Sequence, residues 1–351
     1  MRMKDFPGYA KFALLTISIA MVIAAMRYAD LLLVPMVWAL LLTLMVLPIA
    51  KWLERRIKYR ALTAILTISI FVIIVGGVFF LFSTQALRRR GDGPLIEKKL
   101  SESMNDLREF VDSNLGVPFE QQPEVLKDRL SSASESVFQK VGNTVQSTLT
   151  GLGLMVIVPI YMFFFITYRD RFSRFVVMLV ERRKQIQALD ILSKASTVVQ
   201  KYLVGVGIEV LIVFVLAATL FFSLGIRHAL FFAVMVAVLN IIPYLGVLIG
   251  SSISVVYAFL TTDSLLYPIL VFVLLWVIQI IHNNFIAPYV IGQQIRLNPL
   301  AVIVAVFVGG LIWGVSGMIV FIPLLGILKV VLDESESLKP WGFLLGDRSS
   351  K

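Results

Sequence analysis

ALFFAVMVAVLNIIPYLGVLIGSSISVVYAFL, residues 229–260, is apolar almost throughout and is interrupted in its middle by Asn240, Pro243, Tyr244 and Gly246. A continuous helix of this length would reach roughly 50 Å, while the hydrocarbon core of a bilayer is ~30 Å thick. The stretch must therefore tilt strongly, run beyond the membrane or fold back on itself. Residues 300–332, LAVIVAVFVGGLIWGVSGMIVFIPLLGILKVVL, have the same form, with the break at Trp313, Gly314, Ser316 and Gly317. Irregular backbone at membrane depth is tolerated where protein or a wet cavity satisfies its polar groups. Two broken segments in corresponding places point to the binding site of a transporter.

Composition agrees with a membrane bundle. Apolar residues make up 58% of the 351 and charged residues 15%, against about 25% charged in soluble domains. The mean hydropathy is +0.89. The net charge of +10 is carried mostly by two loops. Residues 51–60 hold Lys51, Arg55, Arg56, Lys58 and Arg60 against Glu54, and residues 168–201 hold most of the remaining excess. The polar segment 84–150 is nearly balanced. This asymmetry follows the positive-inside rule and puts both basic loops, with both termini, in the cytoplasm. No basic patch lies outside these flanks, so no nucleic-acid partner is expected.

The chain has no cysteine, which excludes disulfides, thiolate metal sites and cysteine nucleophiles. There is no phosphate-binding Gly-x-x-x-x-Gly-Lys, no His-Glu-x-x-His and no nucleophile elbow, so neither an enzyme, a cofactor nor a metal is expected. Without a nucleotide site, transport would be secondary or passive. The basic start followed by residues 12–26 is read as a retained first span rather than a cleaved signal.

The predicted fold is all-α, a polytopic helical membrane protein of about eight apolar elements. Three spans fill residues 1–83. An insert at 84–150 reads as two amphipathic helices outside the membrane, with Leu100, Met104, Leu107, Val111 and Leu115 on one and Leu126, Leu130, Ala133, Val137 and Val141 on the other. Its apolar faces can cover each other, a neighbouring subunit or the membrane surface. A fourth span and a basic cytoplasmic helix take 151–202, a transport unit takes 203–332, and a cytoplasmic tail takes 333–351. Within 203–332 the order is span, broken segment, span, broken segment. If both breaks are re-entrant hairpins, the two pairs are related by inverted topology. Full crossing of both leaves the tail on the same side, so charge alone does not choose between them.

Candidate transport residues are polar groups inside apolar runs. Glu209 is the acidic residue set well inside a span in this half, and a charge there costs ~2.5–3.5 kcal/mol on insertion scales, so it needs a cavity or a partner. The alternative is a structural hydrogen bond. Asn240, Pro243, Tyr244 and Gly246 free several backbone groups at the first break, either to bind a polar solute or to satisfy one another in a tight loop. Gln279, His282, Asn283 and Asn284 cluster before Pro288, with 279, 282 and 283 on one helical face. They serve proton handling, or hydrogen bonding at an interface. Trp313, Gly314, Ser316 and Gly317 are either a tip lining the pathway or a packing kink.

Four motifs in order resemble the autoinducer-2 exporter family of bacterial transporters: Pro159-Ile-Tyr-Met-Phe-Phe-Phe, Leu239-Asn-Ile-Ile-Pro-Tyr-Leu-Gly, Asn284-Phe-Ile-Ala-Pro-Tyr-Val-Ile-Gly, and Gly309-Gly-Leu-Ile-Trp-Gly-Val-Ser-Gly-Met with Pro323-Leu. The tail from Leu338 to Gly346 resembles a Bacteroidetes-type branch in which an acidic residue commonly stands at the place of His282. The resemblance implies a bacterial inner-membrane permease and a homo-oligomer in contact with membrane lipid. It implies export of the furanosyl signal or, as in some members, sodium–proton antiport; the residues themselves are read as exporting a small polar solute by alternating access, with a sodium or lithium/proton antiporter using Glu209 as the rival. A non-transporting scaffold or sensor and a passive channel are the other readings.

Overall fold

The computed structural model describes residues 8–88, 152–262, 264–290 and 297–347. The insert expected at 84–150 lies almost wholly outside the described residues. Among those described the fold is helical, with one isolated bridge between Leu297 and Gly346. In chain order the helices are α1 (Gly8–Tyr28), α2 (Asp30–Glu54), α3 (Arg60–Arg88), α4 (Leu152–Met178) and α5 (Gln185–Ser223). They continue with α6 (Ala229–Leu239), α7 (Leu245–Thr261), α8 (Leu266–Ile281), a widened turn His282–Ile286, α9 (Ala287–Val290), α10 (Pro299–Glu334) and α11 (Lys339–Leu345). Five segments are long and apolar enough to cross a membrane: Asp30–Glu54, Arg60–Val78, Arg182–Ser223, Leu266–Ile286 and Pro299–Glu334. Phe12–Tyr28, α6 and α7 are shorter and equally apolar in character. Exposed Leu211, Val215, Phe222, Phe272 and Trp276 suit an apolar solvent. The protein is an all-α polytopic membrane protein.

The chain forms two compact units: one gathers residues up to 71, 157–207 and 291–351, the other 72–156 and 208–290. In the first, Ala39, Ala50 and Ala64 let α2, α3 and α4 approach closely, and Val46, Ile68, Met162 and Ile166 fill the remaining space. At the basic end Arg169 grips Glu54 with two parallel bonds, Nη1 to Oε1 at 2.7 Å and Nη2 to Oε2 at 2.6 Å. Arg60 reaches Asp170 at 2.7 Å. That hydrogen bond holds the Asp170 carboxyl below the usual carboxylate range. Its stabilising contribution is present above the unfolded carboxylate pKa and fades as pH falls through the lowered one. Arg169→Ala should cost about 1.5–3 kcal/mol, because Glu54 then keeps a half-buried charge without its donor. Thermal unfolding in detergent checks this, and the Glu54→Ala/Arg169→Ala double variant should recover part of the loss.

α10 is two helices joined by a reversal. Trp313 (φ −126°, ψ 20°) and Gly314 (φ 59°, ψ −142°) leave helical geometry. Gly309 and Gly317 then lie face to face: a Cβ on Gly317 would sit 1.9 Å from the Gly309 carbonyl oxygen. Along an unbroken helix these residues would be ~12 Å apart, so the arms run back along each other as a hairpin. Its feet are tied by α11. The Asn298 side chain accepts from Ala301 N–H at 2.7 Å and donates to the Leu344 carbonyl at 2.6 Å. Its tip is held at the α1–α2 turn, where Trp313 Nε1 donates to the Met26 carbonyl at 2.8 Å and Arg27 Nη1 to the Leu311 carbonyl at 2.6 Å.

In the second unit α6 and α7 form the other hairpin over a core of Phe221, Phe232, Tyr257, Val271 and Leu275. Tyr244 makes the reversal at φ 65°, ψ −55°. Leu245 N–H donates to the Pro243 carbonyl at 2.7 Å, which makes this a γ-turn of the rare positive-φ form. Gly246 presses on the end of α6, where a Cβ would lie 1.6 Å from the Leu239 carbonyl oxygen.

The two hairpins differ in reach. α6 rises only ~16 Å, about half a hydrocarbon core, which is the length of re-entry. The tip of α10 stands beside the α1–α2 turn, at the opposite end of α1 from Gly8. Its second arm runs ~30 Å, a full hydrocarbon thickness.

Candidate transport site

Glu209 on α5, Asn240 at the end of α6, and Gln279, His282 and Asn283 at the end of α8 meet within the second unit. His282 Nε2 lies 2.5 Å from Glu209 Oε1. Asn240 Nδ2 donates to the same oxygen at 2.9 Å. Glu209, His282 and Asn240 are 6%, 7% and 8% exposed, so the cluster is buried. On the other side of the ring, His282 Nδ1 lies 3.2 Å from Gln279 Nε2 and 3.1 Å from Asn283 Oδ1. Gln279 Nε2 also donates to Asn283 Oδ1 at 3.0 Å.

Each residue is placed by the local backbone. α6 stops at Asn240 because the chain must turn before Pro243, which carries no N–H. That turn sets Asn240 at the end of an 11-residue helix. The distance along α5 from Ser223 back to Glu209 is ~21 Å, and α6 runs antiparallel over a similar length. His282 opens a turn of wider pitch in which the Ala287 N–H reaches back five residues to the His282 carbonyl. Pro288 has no N–H to offer the Asn284 carbonyl, which removes one ordinary helical bond there. Such widened turns recur at functional sites.

Unused acceptors give the cluster its chemistry. Both contacts to Glu209 fall on Oε1, and the Asn240 side chain is fixed through its amino group. Glu209 Oε2 and Asn240 Oδ1 take no protein donor among the described residues. Neither belongs to the fully enclosed orphan atoms, which are Thr43 Oγ1 and Thr167 Oγ1. Two such oxygens on hydrogen-bonded side chains, one of them on a carboxyl group, suit the hydroxyls of a small polar solute or a monovalent cation. The described residues contain no group of three or more His, Cys, Asp or Glu that would hold a metal.

The remaining candidates from sequence lie elsewhere. Asn284 turns its amide back to the Ile280 carbonyl at 2.8 Å. Pro243, Tyr244 and Gly246 shape the hairpin tip and make no side-chain bond to the cluster; Tyr244 is exposed. Trp313, Gly314, Ser316 and Gly317 belong to the tip of α10 in the first unit. There Trp313 clamps the α1–α2 turn, Gly314 supplies the reversal and Gly317 the close approach. Sequence reading missed Arg27 as the second half of that clamp. Its place at the end of an apolar run, beside a tight turn, was the available signal.

A family model described as the AI-2E family transporter matches residues 15–337. The chain belongs to the AI-2E transporter family. This AI-2E transporter is 24% identical over 315 residues to the Bacillus subtilis protein named "Putative transport protein YueF", covering 84% of this chain and 82% of that one. It is 21% identical over 353 residues to the Escherichia coli "AI-2 transport protein TqsA", covering 96% of each. Membership makes the chain a membrane transporter of a small solute, in a family of transporters rather than enzymes.

Proposed function

We propose that this AI-2E transporter is a secondary exporter of a small polar solute of the autoinducer-2 class. It works by alternating access in the bacterial inner membrane, as a homo-oligomer with both termini cytoplasmic. The reading rests on the pair of unused oxygens, Glu209 Oε2 and Asn240 Oδ1, on buried side chains beside a half-length hairpin. A furanose-like solute offers several hydroxyl donors to such a pair, and buried polar groups left unpaired discriminate strongly for ligands that complete them. The basic loops support the orientation through the positive-inside rule.

Proteoliposomes loaded with autoinducer-2 test this. Wild type should show saturable flux with counterflow, and Asn240→Ala should lower it at least tenfold with unchanged membrane insertion. Linear, non-saturating flux would make the protein a channel, and unaltered flux in Asn240→Ala would remove the site.

A second reading, exchange of sodium or lithium for protons, is favoured by the contact of the Glu209 carboxylate with a titratable ring. Under it, Glu209→Gln abolishes pH-dependent sodium flux in the same vesicles.

A further inference from the structure

His282 is built into the cluster so that both of its protonation states are satisfied without any side chain turning over. Nε2 faces Glu209 Oε1 at 2.5 Å and must carry a hydrogen there, since a carboxylate only accepts. Nδ1 faces two different partners at nearly equal distance. Gln279 Nε2, at 3.2 Å, is a donor and serves a bare Nδ1; Asn283 Oδ1, at 3.1 Å, is an acceptor and serves a protonated one.

We propose that His282 is the proton carrier that couples this transporter to the proton gradient, taking and releasing one proton at Nδ1 while its Nε2–H stays on Glu209. The proposal rests on the transport reading above and names its coupling ion. With the proton bound, imidazolium and carboxylate sum to zero charge. When Nδ1 loses it, the bare nitrogen accepts from Gln279 in place and the pair carries a net −1. A net charge in a poorly hydrated interior is costly. It is relieved when hydroxyl donors, or a monovalent cation, take Glu209 Oε2 and Asn240 Oδ1. Proton and cargo therefore alternate at one site while contacting different atoms. Proton access is on the Nδ1 side, where Asn283 is exposed and Gln279 half-buried, whereas the Nε2 side is closed.

Among the described residues no other ionisable group interferes. Glu209 and His282 are each other's ion-pair partner, and neither meets another charged side chain among the described residues. On the packed elements the remaining titratable groups are set apart by position. On α5, Lys201 and Tyr202 lie two turns before Glu209, with Asp190 and Lys194 further back. Arg227 and His228 lie in the turn before α6, Tyr244 at the hairpin tip and Tyr257 in the far half of α7. Tyr267 stands at the start of α8 and Tyr289 beyond the widened turn.

The chain has two histidines, so the test can be direct. His228 sits at φ 58°, a conformation that asparagine tolerates, and His228→Asn leaves His282 as the sole imidazole. Histidine-selective 15N labelling of that protein in lipid nanodiscs should show Nε2 protonated throughout and Nδ1 switching from bare to protonated, in one step between roughly pH 5 and 9. A neutral ring carrying its proton on Nδ1, or a ring that does not titrate in that window, overturns the proposal. In vesicles with autoinducer-2 as probe, His282→Gln should lose gradient-driven accumulation at least tenfold, and whatever flux remains should no longer vary with pH. Accumulation equal to wild type overturns the coupling role. Wild-type vesicles that move no autoinducer-2, with the ring titrating as described, discard the solute reading and support the proton site.

Discussion

Glu209→Ala is expected to abolish transport while costing only about 1–3 kcal/mol of stability. Two magnitudes compete. Removing one member of a buried ion pair typically costs about 3–5 kcal/mol, because the other charge stays behind unpaired. His282 can shed its charge by releasing a proton, so the residual loss falls toward that of interhelical hydrogen bonds in membranes, ~0.6–1.7 kcal/mol each. Two such bonds converge on Glu209 Oε1, from His282 and from Asn240. Glu209→Gln separates the two consequences. Its amide oxygen still accepts from both neighbours, so the melting temperature should stay near wild type. Flux should nevertheless fall at least a hundredfold, because the cluster then lacks the carboxylate oxygen that meets the cargo and never reaches the net −1 state. Detergent melting curves and vesicle flux on both variants check this. Wild-type flux in Glu209→Gln would take Glu209 out of the mechanism.

Polar residues inside apolar runs made most of this cluster legible in the sequence. An ionisable or amide side chain at membrane depth is expensive enough to need a partner, and Glu209, Asn240, Gln279, His282 and Asn283 turn out to partner one another. Their spacing on α8 gave one face of the cluster, but not the pairing across three helices, since nothing in a linear pattern sets the rotation of α5 against α8. The breaks were legible as breaks. Their geometry was not: the stretches around Pro243 and Gly314 are of similar length and hydropathy, yet the first opens with an arm of only 11 residues and the second has its tip at the α1–α2 turn. That difference depends on the Trp313 and Arg27 bonds to carbonyls almost three hundred positions away in the chain, which periodicity does not encode. Only adjacency in sequence places Asn284 with the cluster. The widened turn at His282–Ile286 changes the angular register between 282 and 284, and the Asn284 amide returns to its own helix.

Gly317→Ala should be the most damaging of three methyl additions to the α10 hairpin, at Gly310, Gly314 and Gly317, and the contrast with Gly310→Ala shows why. A Cβ on Gly317 meets only backbone: the Gly309 carbonyl oxygen at 1.9 Å, its carbon at 2.5 Å and its Cα at 3.1 Å. No rotamer change relieves such a contact, so the arms of α10 must separate. A Cβ on Gly310 instead meets the end of the Met318 side chain at 2.8 Å, and a flexible thioether can move aside. Overpacking that side chains absorb costs about 1–3 kcal/mol. Gly310→Ala should sit at or below the low end of that range, and Gly317→Ala above the high end. Parting the arms would also move Trp313 away from the Met26 carbonyl, so the loss includes that hydrogen bond. Gly314→Ala gives a third, intermediate value. A Cβ there meets open space, but φ 59° with ψ −142° is a region that only glycine occupies comfortably, and the strain is worth about 1–3 kcal/mol. Size-exclusion profiles and melting temperatures after detergent extraction should therefore rank Gly310→Ala closest to wild type, Gly314→Ala next and Gly317→Ala last, largely aggregated. If Gly317→Ala extracts and melts like wild type, the two arms are not in contact and residues 299–334 form one tilted helix.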